Sequence, residues 1–125
     1  MLTTKDSFSG FSVNDIDIAK QFYCDTLGFT AEDSMGGFIL HLPTKDVWVY
    51  QRPGHVPATY TMLNFIVDNI DQAAEQMTAM AIELIRYPEM KQDEKGIMRG
   101  KEVNMGPNIA WFEDPAGNIL SIIEK

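Results

Sequence analysis

Histidine and cysteine are nearly missing from this chain. Two histidines, His41 and His55, and one cysteine, Cys24, occur in 125 residues. A lone cysteine cannot close an internal disulfide, so a reducing cytoplasm is the expected setting. Basic charge is also scarce. Ten Lys and Arg face eighteen Asp and Glu, for a net charge of -8. Such a surface repels phosphate backbones and anionic lipid, and no basic stripe offsets it. Nucleic acid and membrane are therefore excluded as expected partners, and a cationic ligand is favoured. No apolar run approaches the roughly 18 residues of a membrane span. The first residues, MLTTKDSFSG, lack a basic segment followed by an apolar run, so no signal peptide is expected. Also missing are a Gly-rich phosphate loop, a C-x-x-C pair and a G-x-S-x-G elbow.

What is present is a repeat. The stretch FSVNDIDIAKQFYCDTLGF (11–29) aligns with FIVDNIDQAAEQMTAMAIE (65–83) at a constant offset of 54. Phe11 falls on Phe65, Val13 on Val67, Ile16 on Ile70, Asp17 on Asp71 and Ala19 on Ala73. Two copies of this length point to a duplicated supersecondary unit.

Each copy opens with period-two alternation, the signature of a strand with two faces. Phe8, Gly10 and Ser12 share one face; Met62, Asn64 and Ile66 share the corresponding one. An Asn/Asp pair follows each strand and can accept from the free N–H groups of a helix start. Helix one aligns Ile16, Ala19, Tyr23 and Leu27, with Phe22 beside them. Helix two aligns Ile70, Ala73, Ala74, Met77 and Ala81. Gly28 ends the first helix as a left-handed residue would, and the second has no matching glycine.

Further strands follow each helix: FTAED, GFILHL and VWVYQR in the first copy, ELIRY, NIAWFE and NILSIIE in the second. The expected fold class is α+β, two tandem β-α-β-β-β modules in a single domain over 1–125. Module one runs from about 5 to 53 and module two from about 58 to 125. The connector 88–107, with glycines, mixed charge and flanking prolines, is expected to be a loop, either a solvated excursion or a lid. Asp114-Pro115-Ala116-Gly117-Asn118 reads as a tight turn, with Pro115 presetting the backbone and Gly117 permitting positive φ.

The pattern from Val13 to Phe29 (VNDIDIAKQFYCDTLGF), the duplication, and the closing FEDPAGNILSI resemble the glyoxalase / bleomycin resistance protein / extradiol dioxygenase superfamily. The resemblance covers nearly the whole chain. It implies an eight-stranded mixed sheet curved around a cavity, and frequently a homodimer. Its enzymes hold a divalent metal through His and Glu at strand positions that repeat between modules. An open site with a few N and O ligands can polarise a carbonyl or stabilise an enediolate.

The resemblance implies a first ligand five residues before the valine that precedes the helix cap. That residue is Phe8, and its repeat partner is Met62. The last ligand falls at Ser121, and the remaining one in VWVYQR, at Trp48 or Tyr50. Phenylalanine cannot coordinate, a thioether is too soft for a hard divalent ion, and a neutral hydroxyl replaces a carboxylate poorly. No cofactor is therefore expected. His41 lies on a strand where it could serve as a polar pocket group, and His55 is expected at the surface. Cys24 has no base near it in sequence and reads as a plain helix cysteine.

The face left over mixes aromatic and small polar groups: Phe8, Ser12, Trp48, Tyr50, Met62, Asn64 and Ser121, with Trp111 or Phe112 from the strand before. Small-molecule sites are often lined this way, although such side chains also fill ordinary cores. The favoured expectation is a metal-free protein that binds a small organic molecule, possessing an aromatic-lined cavity. The alternative is a metal-dependent glyoxalase- or dioxygenase-like enzyme with relocated ligands, holding a divalent metal.

Overall fold

A computed structural model describes residues 1–125. The chain divides into two compact units, Met1–Pro57 and Ala58–Lys125. Unit one contains β1 (Ser9–Val13), α1 (Ile16–Lys20, continued by a π-helical turn Gln21–Thr26), β2 (Thr30–Ser34), β3 (Gly37–His41) and β4 (Asp46–Gln51). Its sheet order is β1-β4-β3-β2. Unit two contains β5 (Thr61–Ile66), α2 (Ile70–Ala79), β6 (Met98–Arg99), β7 (Asn108–Glu113) and β8 (Ile119–Glu124), in the order β5-β8-β7-β6. Each unit is thus a β-α-β-β-β module with a four-stranded mixed sheet. Its first and last strands pair in parallel, and the other pairs are antiparallel. No helix is long and apolar enough to cross a membrane.

One face of each sheet is covered by its helix. In unit one Val13, Phe38, Leu40, Val47 and Val49 are buried with Ala19 and Tyr23 of the helix, and the Phe11 ring meets that of Tyr23. In unit two Ala110, Phe112, Leu120 and Ile122 are buried, as are Ile70, Ala73, Ala74 and Met77 on α2. Fully burying one such Val, Leu, Ile or Phe contributes about 1.5–3 kcal/mol.

The helix starts are built alike. The Asp15 carboxylate accepts from the N–H groups of Asp17 and Ile18, each at 3.1 Å, and the Asn69 side chain accepts from Gln72 N–H at 3.0 Å. The module's last strand then supplies a second cap. Gln51 Oε1 accepts from Ile16 N–H at 3.0 Å, and Glu124 Oε1 accepts from Ile70 N–H at 3.0 Å. The Ile70 N–H and the Lys101 ammonium hold the Glu124 carboxyl below its ordinary pKa.

The helix ends differ by one residue. In α2, Ile82 N–H bonds Met77 C=O at 2.9 Å and Ala81 N–H bonds Thr78 C=O at 3.0 Å, the paired bonds of a Schellman motif. After α1 the matching bonds are one residue wider: Phe29 N–H to Tyr23 C=O at 3.0 Å and Gly28 N–H to Cys24 C=O at 3.1 Å. The π-turn inserts that residue. Gly28 takes the left-handed position with φ 86°, and its counterpart is Ala81 with φ 59°. Ala81 therefore does not join the apolar stripe of helix two, as its spacing suggested. It is exposed and performs the glycine's role.

Two further expectations are corrected in unit two. ELIRY is not a strand. Its one ladder-like bond runs from Ile85 N–H to Trp111 C=O, at 2.8 Å. The Gln92 amide takes the neighbouring backbone groups instead, donating to Ile85 C=O and accepting from Tyr87 N–H, both at 2.8 Å. The strand beside β7 is β6, inside the connector, followed by a 3-10 turn at Gly100–Val103. Nor is the connector a free excursion. Arg99 forks onto Asp71 at 2.6 and 3.0 Å and bonds Asp93 at 3.0 Å, while Lys95 reaches Asp71 at 3.0 Å. The Arg86 guanidinium donates to the carbonyls of Asp93 and Glu94.

The left-handed region costs an L-residue with a Cβ about 1–2 kcal/mol, partly offset by the greater unfolded-state entropy of glycine. Ala81→Gly is therefore expected to stabilise the protein by about 0.5–1 kcal/mol, read as a higher urea midpoint at constant m-value.

Candidate functional site

In unit one the face away from the helix is set by the β1–β4 register, in which Gly10 pairs with Trp48 and Ser12 with Tyr50. The Trp48 and Tyr50 rings stack, with centroids 4.5 Å apart and planes at 27°. Phe8, 64% exposed, meets the Trp48 ring edge-on at 6.4 Å. Gly10 makes room for this arrangement. A Cβ there would lie 3.2 Å from Trp48 O and 3.3 Å from its ring atom Cε3. The glycine thus lets the indole pass close over β1. Trp48 Nε1 is buried without a hydrogen-bond partner, a condition that usually costs about 1–3 kcal/mol.

Polar groups flank the aromatic ones. Ser12 Oγ and His55 Nδ1 lie 2.7 Å apart and partly buried, a contact that ties the loop residue His55 to β1. His41 shares the face, since it pairs with Asp46 two residues before Trp48, but it stands at the sheet's far end. Its Nδ1 is 2.9 Å from Asp46 and its Nε2 3.7 Å from Glu32. These carboxylates raise the imidazole's pKa above its usual value, the Asp46 hydrogen bond foremost. One carboxylate at each ring nitrogen makes an ion-pair bracket.

In unit two the polar groups of the corresponding face bond to one another. Ser121 pairs with Asn64 on one side and with Trp111 on the other. Ser121 is fully buried, and its hydroxyl donates to Asn64 Oδ1 at 2.5 Å. The register assigns Trp111 to this face; Phe112 lies on the helix side, stacked on Phe65 at 6.3 Å. Trp111 Nε1–H donates to Thr61 Oγ1 at 3.0 Å, and Tyr87 meets its ring edge-on at 5.4 Å. Thr61 could not be anticipated. A β-bulge lets Thr61 pair with Ile119 and Leu63 with Leu120, leaving Met62 as the half-buried extra residue.

The pairing also aligns the modules internally. Trp48 pairs with Gly10 in one and Ser121 with Asn64 in the other, and Gly10 and Asn64 are repeat partners. The position matching Ser121 is therefore Trp48 and not Tyr50. The four strand positions implied for a metal carry Phe8, Trp48, Met62 and Ser121. Their donor chemistry does not fit a hard divalent ion, and the Ser121 hydroxyl is already engaged. No three His, Cys, Asp or Glu side chains gather to form a metal cup elsewhere.

The family model described as Glyoxalase/Bleomycin resistance protein/Dioxygenase superfamily matches residues 8–122. No curated protein sequence matches the chain. Among solved structures, a member of that superfamily from Sphaerobacter thermophilus is 23% identical, with 97% of this chain and 98% of that one covered and a TM-score of 0.67. TnmS3, an antibiotic binding protein from a Streptomyces species, is 18% identical, with 98% of each chain covered and a TM-score of 0.63. The fosfomycin resistance protein FosX from Listeria monocytogenes is 12% identical, covering 99% of this chain and 95% of that one, with a TM-score of 0.70. At these identities the likeness is one of fold.

A raised imidazole pKa is a stability statement with a definite sign. The bracket's contribution is fully present below the unfolded-state pKa and is lost as pH rises through His41's higher folded value. Asp46→Asn is expected to lower the His41 titration midpoint, read from its imidazole proton shifts, and to flatten that part of the stability–pH curve.

Proposed function

This chain belongs to the Glyoxalase/Bleomycin resistance protein/Dioxygenase superfamily, and from that premise we propose that it is a metal-free small-molecule-binding protein. Its ligand is an organic molecule held against the aromatic face that carries Phe8, Trp48 and Tyr50. The observation that carries this reading is the residue set Phe8, Trp48, Met62 and Ser121 at the positions implied for a metal. That set offers ring faces and a thioether in place of imidazole and carboxylate.

Stacked aromatic side chains bind flat apolar groups and attract cations over their faces. The net charge of -8 favours a cationic ligand at longer range. An antibiotic binding protein and a fosfomycin resistance protein share the fold, which supports a drug or drug-like molecule as the ligand class. Sequestration needs only affinity, so it makes no demand for a metal or an acid–base pair. A homodimer in the cytoplasm is the proposed working form. Phe8 and Ile66, each 64% exposed, give apolar surface that a second copy could cover.

Titration with a panel of cationic and aromatic drugs, followed by Trp fluorescence, is expected to give saturable binding. Trp48→Ala should weaken it by about tenfold, the order of one or two aromatic contacts. Metal analysis of protein prepared without chelators should find no stoichiometric Ni, Zn, Fe or Mn. A stoichiometric ion would overturn the metal-free reading in favour of an enzyme with relocated ligands. Separately, sedimentation equilibrium should return twice the 14.1 kDa chain mass, and a monomer at that mass would remove the dimer.

A further inference from the structure

The aromatic face of unit one also carries the chain's one serine–histidine pair, formed by residues 43 apart in sequence. Backbone geometry builds it. Arg52 N–H bonds Val13 C=O at 3.0 Å and extends the β1–β4 ladder by one step. The chain then reverses through Arg52-Pro53-Gly54-His55, closed by His55 N–H to Arg52 C=O at 3.1 Å. Pro53 presets the first corner, and Gly54, with φ 71°, permits the second. His55 is thereby returned beside β1 by a hydrogen-bonded turn, with its Nδ1 at 2.7 Å from Ser12 Oγ. Across the ladder from Ser12 stands Tyr50, which stacks on Trp48.

We propose that Ser12 is a nucleophile with His55 as its general base, acting on aryl esters. The inference goes beyond ligand binding and supplies an acid–base pair that the binding reading does not require. A hydroxyl within hydrogen-bond distance of an imidazole nitrogen is the pairing from which a serine is activated. Neighbouring strands lie about 4.8 Å apart, so Ser12 and the Tyr50–Trp48 stack stand on adjacent strands of one face.

The step balances without oxidant or metal. Ser12 Oγ bonds to the acyl carbon while its proton passes to His55 Nδ1. The tetrahedral adduct collapses, the bond to the aryl oxygen breaks, and the leaving phenol takes the proton from Nδ1. A water then attacks the acyl-serine and gives a proton to Nδ1. The departing Ser12 oxygen reclaims that proton, so ester and water become carboxylic acid and phenol.

The test uses the full chain with a fluorophosphonate probe and with p-nitrophenyl acetate. Mass mapping should place the phosphonyl group on Ser12, with little on Ser9, an exposed serine of the same strand that serves as the internal comparison. Nitrophenolate should appear as a burst approaching one equivalent per chain. His55→Gln should slow Ser12 modification by about a hundredfold, the lower range for loss of a general base. Modification of Ser12 no faster than Ser9, or a rate unchanged by His55→Gln, would overturn the proposal. Should that variant fail to fold, the comparison of Ser12 with Ser9 in the unaltered protein still decides. Drug binding followed by Trp fluorescence is measured separately, so the hydrolytic inference can fail while the binding reading stands.

Discussion

Each module depends on one contact: the parallel pairing of its first strand with its last, completed by a side chain that reaches the helix start. Parallel neighbours cannot be joined by a tight turn, so the helix and two further strands must fit between them. The pairing of β1 with β4 brings Gln51 to the Ile16 N–H, and that of β5 with β8 brings Glu124 to the Ile70 N–H. One interaction therefore fixes register, caps the helix and ties the helix to the sheet. A slip of one residue would lose the cap and turn every strand side chain to the other face. The carboxylate in unit two adds favourable charge at the helix N-terminus, where the amide in unit one supplies only an acceptor.

The same register decides what chemistry the open faces can hold. Because Gly10 sits beside Trp48 and Asn64 beside Ser121, the equivalent positions of the two modules can be named residue by residue. Neither supplies an anionic or imidazole donor. Fold membership brings the positions with it, but the side chains standing there determine the chemistry. Here those side chains favour stacking and neutral hydrogen bonds.

Much of this was legible in the sequence. The 54-residue repeat marked both modules, the Asn/Asp pairs contained the caps Asp15 and Asn69, and alternation sorted the faces of β1. Other features depended on contacts that local patterns do not encode. ELIRY has strand-like residues, but the Gln92 amide captured its backbone groups from seven residues away. Nothing local announced the bulge that brings Thr61 to Trp111, or the π-turn that shifts Gly28 by one place against Ala81. The choice between Trp48 and Tyr50 turned on loop length and needed the ladder. The contact of His55 with Ser12 is not legible because the two are remote in sequence, and a turn of four residues does the joining.

The modules share a plan but have diverged in how they spend their open faces. In unit two a buried hydroxyl meets an amide oxygen at 2.5 Å and an indole N–H meets a threonine. Those polar groups are already answered inside the protein, and a ligand would have to displace a satisfied bond to use them. In unit one a glycine admits an indole whose ring stacks on a tyrosine, leaving an aromatic surface that competes with nothing. The serine–histidine bond on that face differs in kind from the serine–asparagine bond of the other. An imidazole nitrogen can exchange a proton with the hydroxyl beside it, whereas an amide oxygen can only accept a hydrogen bond. Binding and reactivity are therefore both to be sought on unit one, which Gly10 and Trp48, in place of Asn64 and Ser121, and the added His55 set apart.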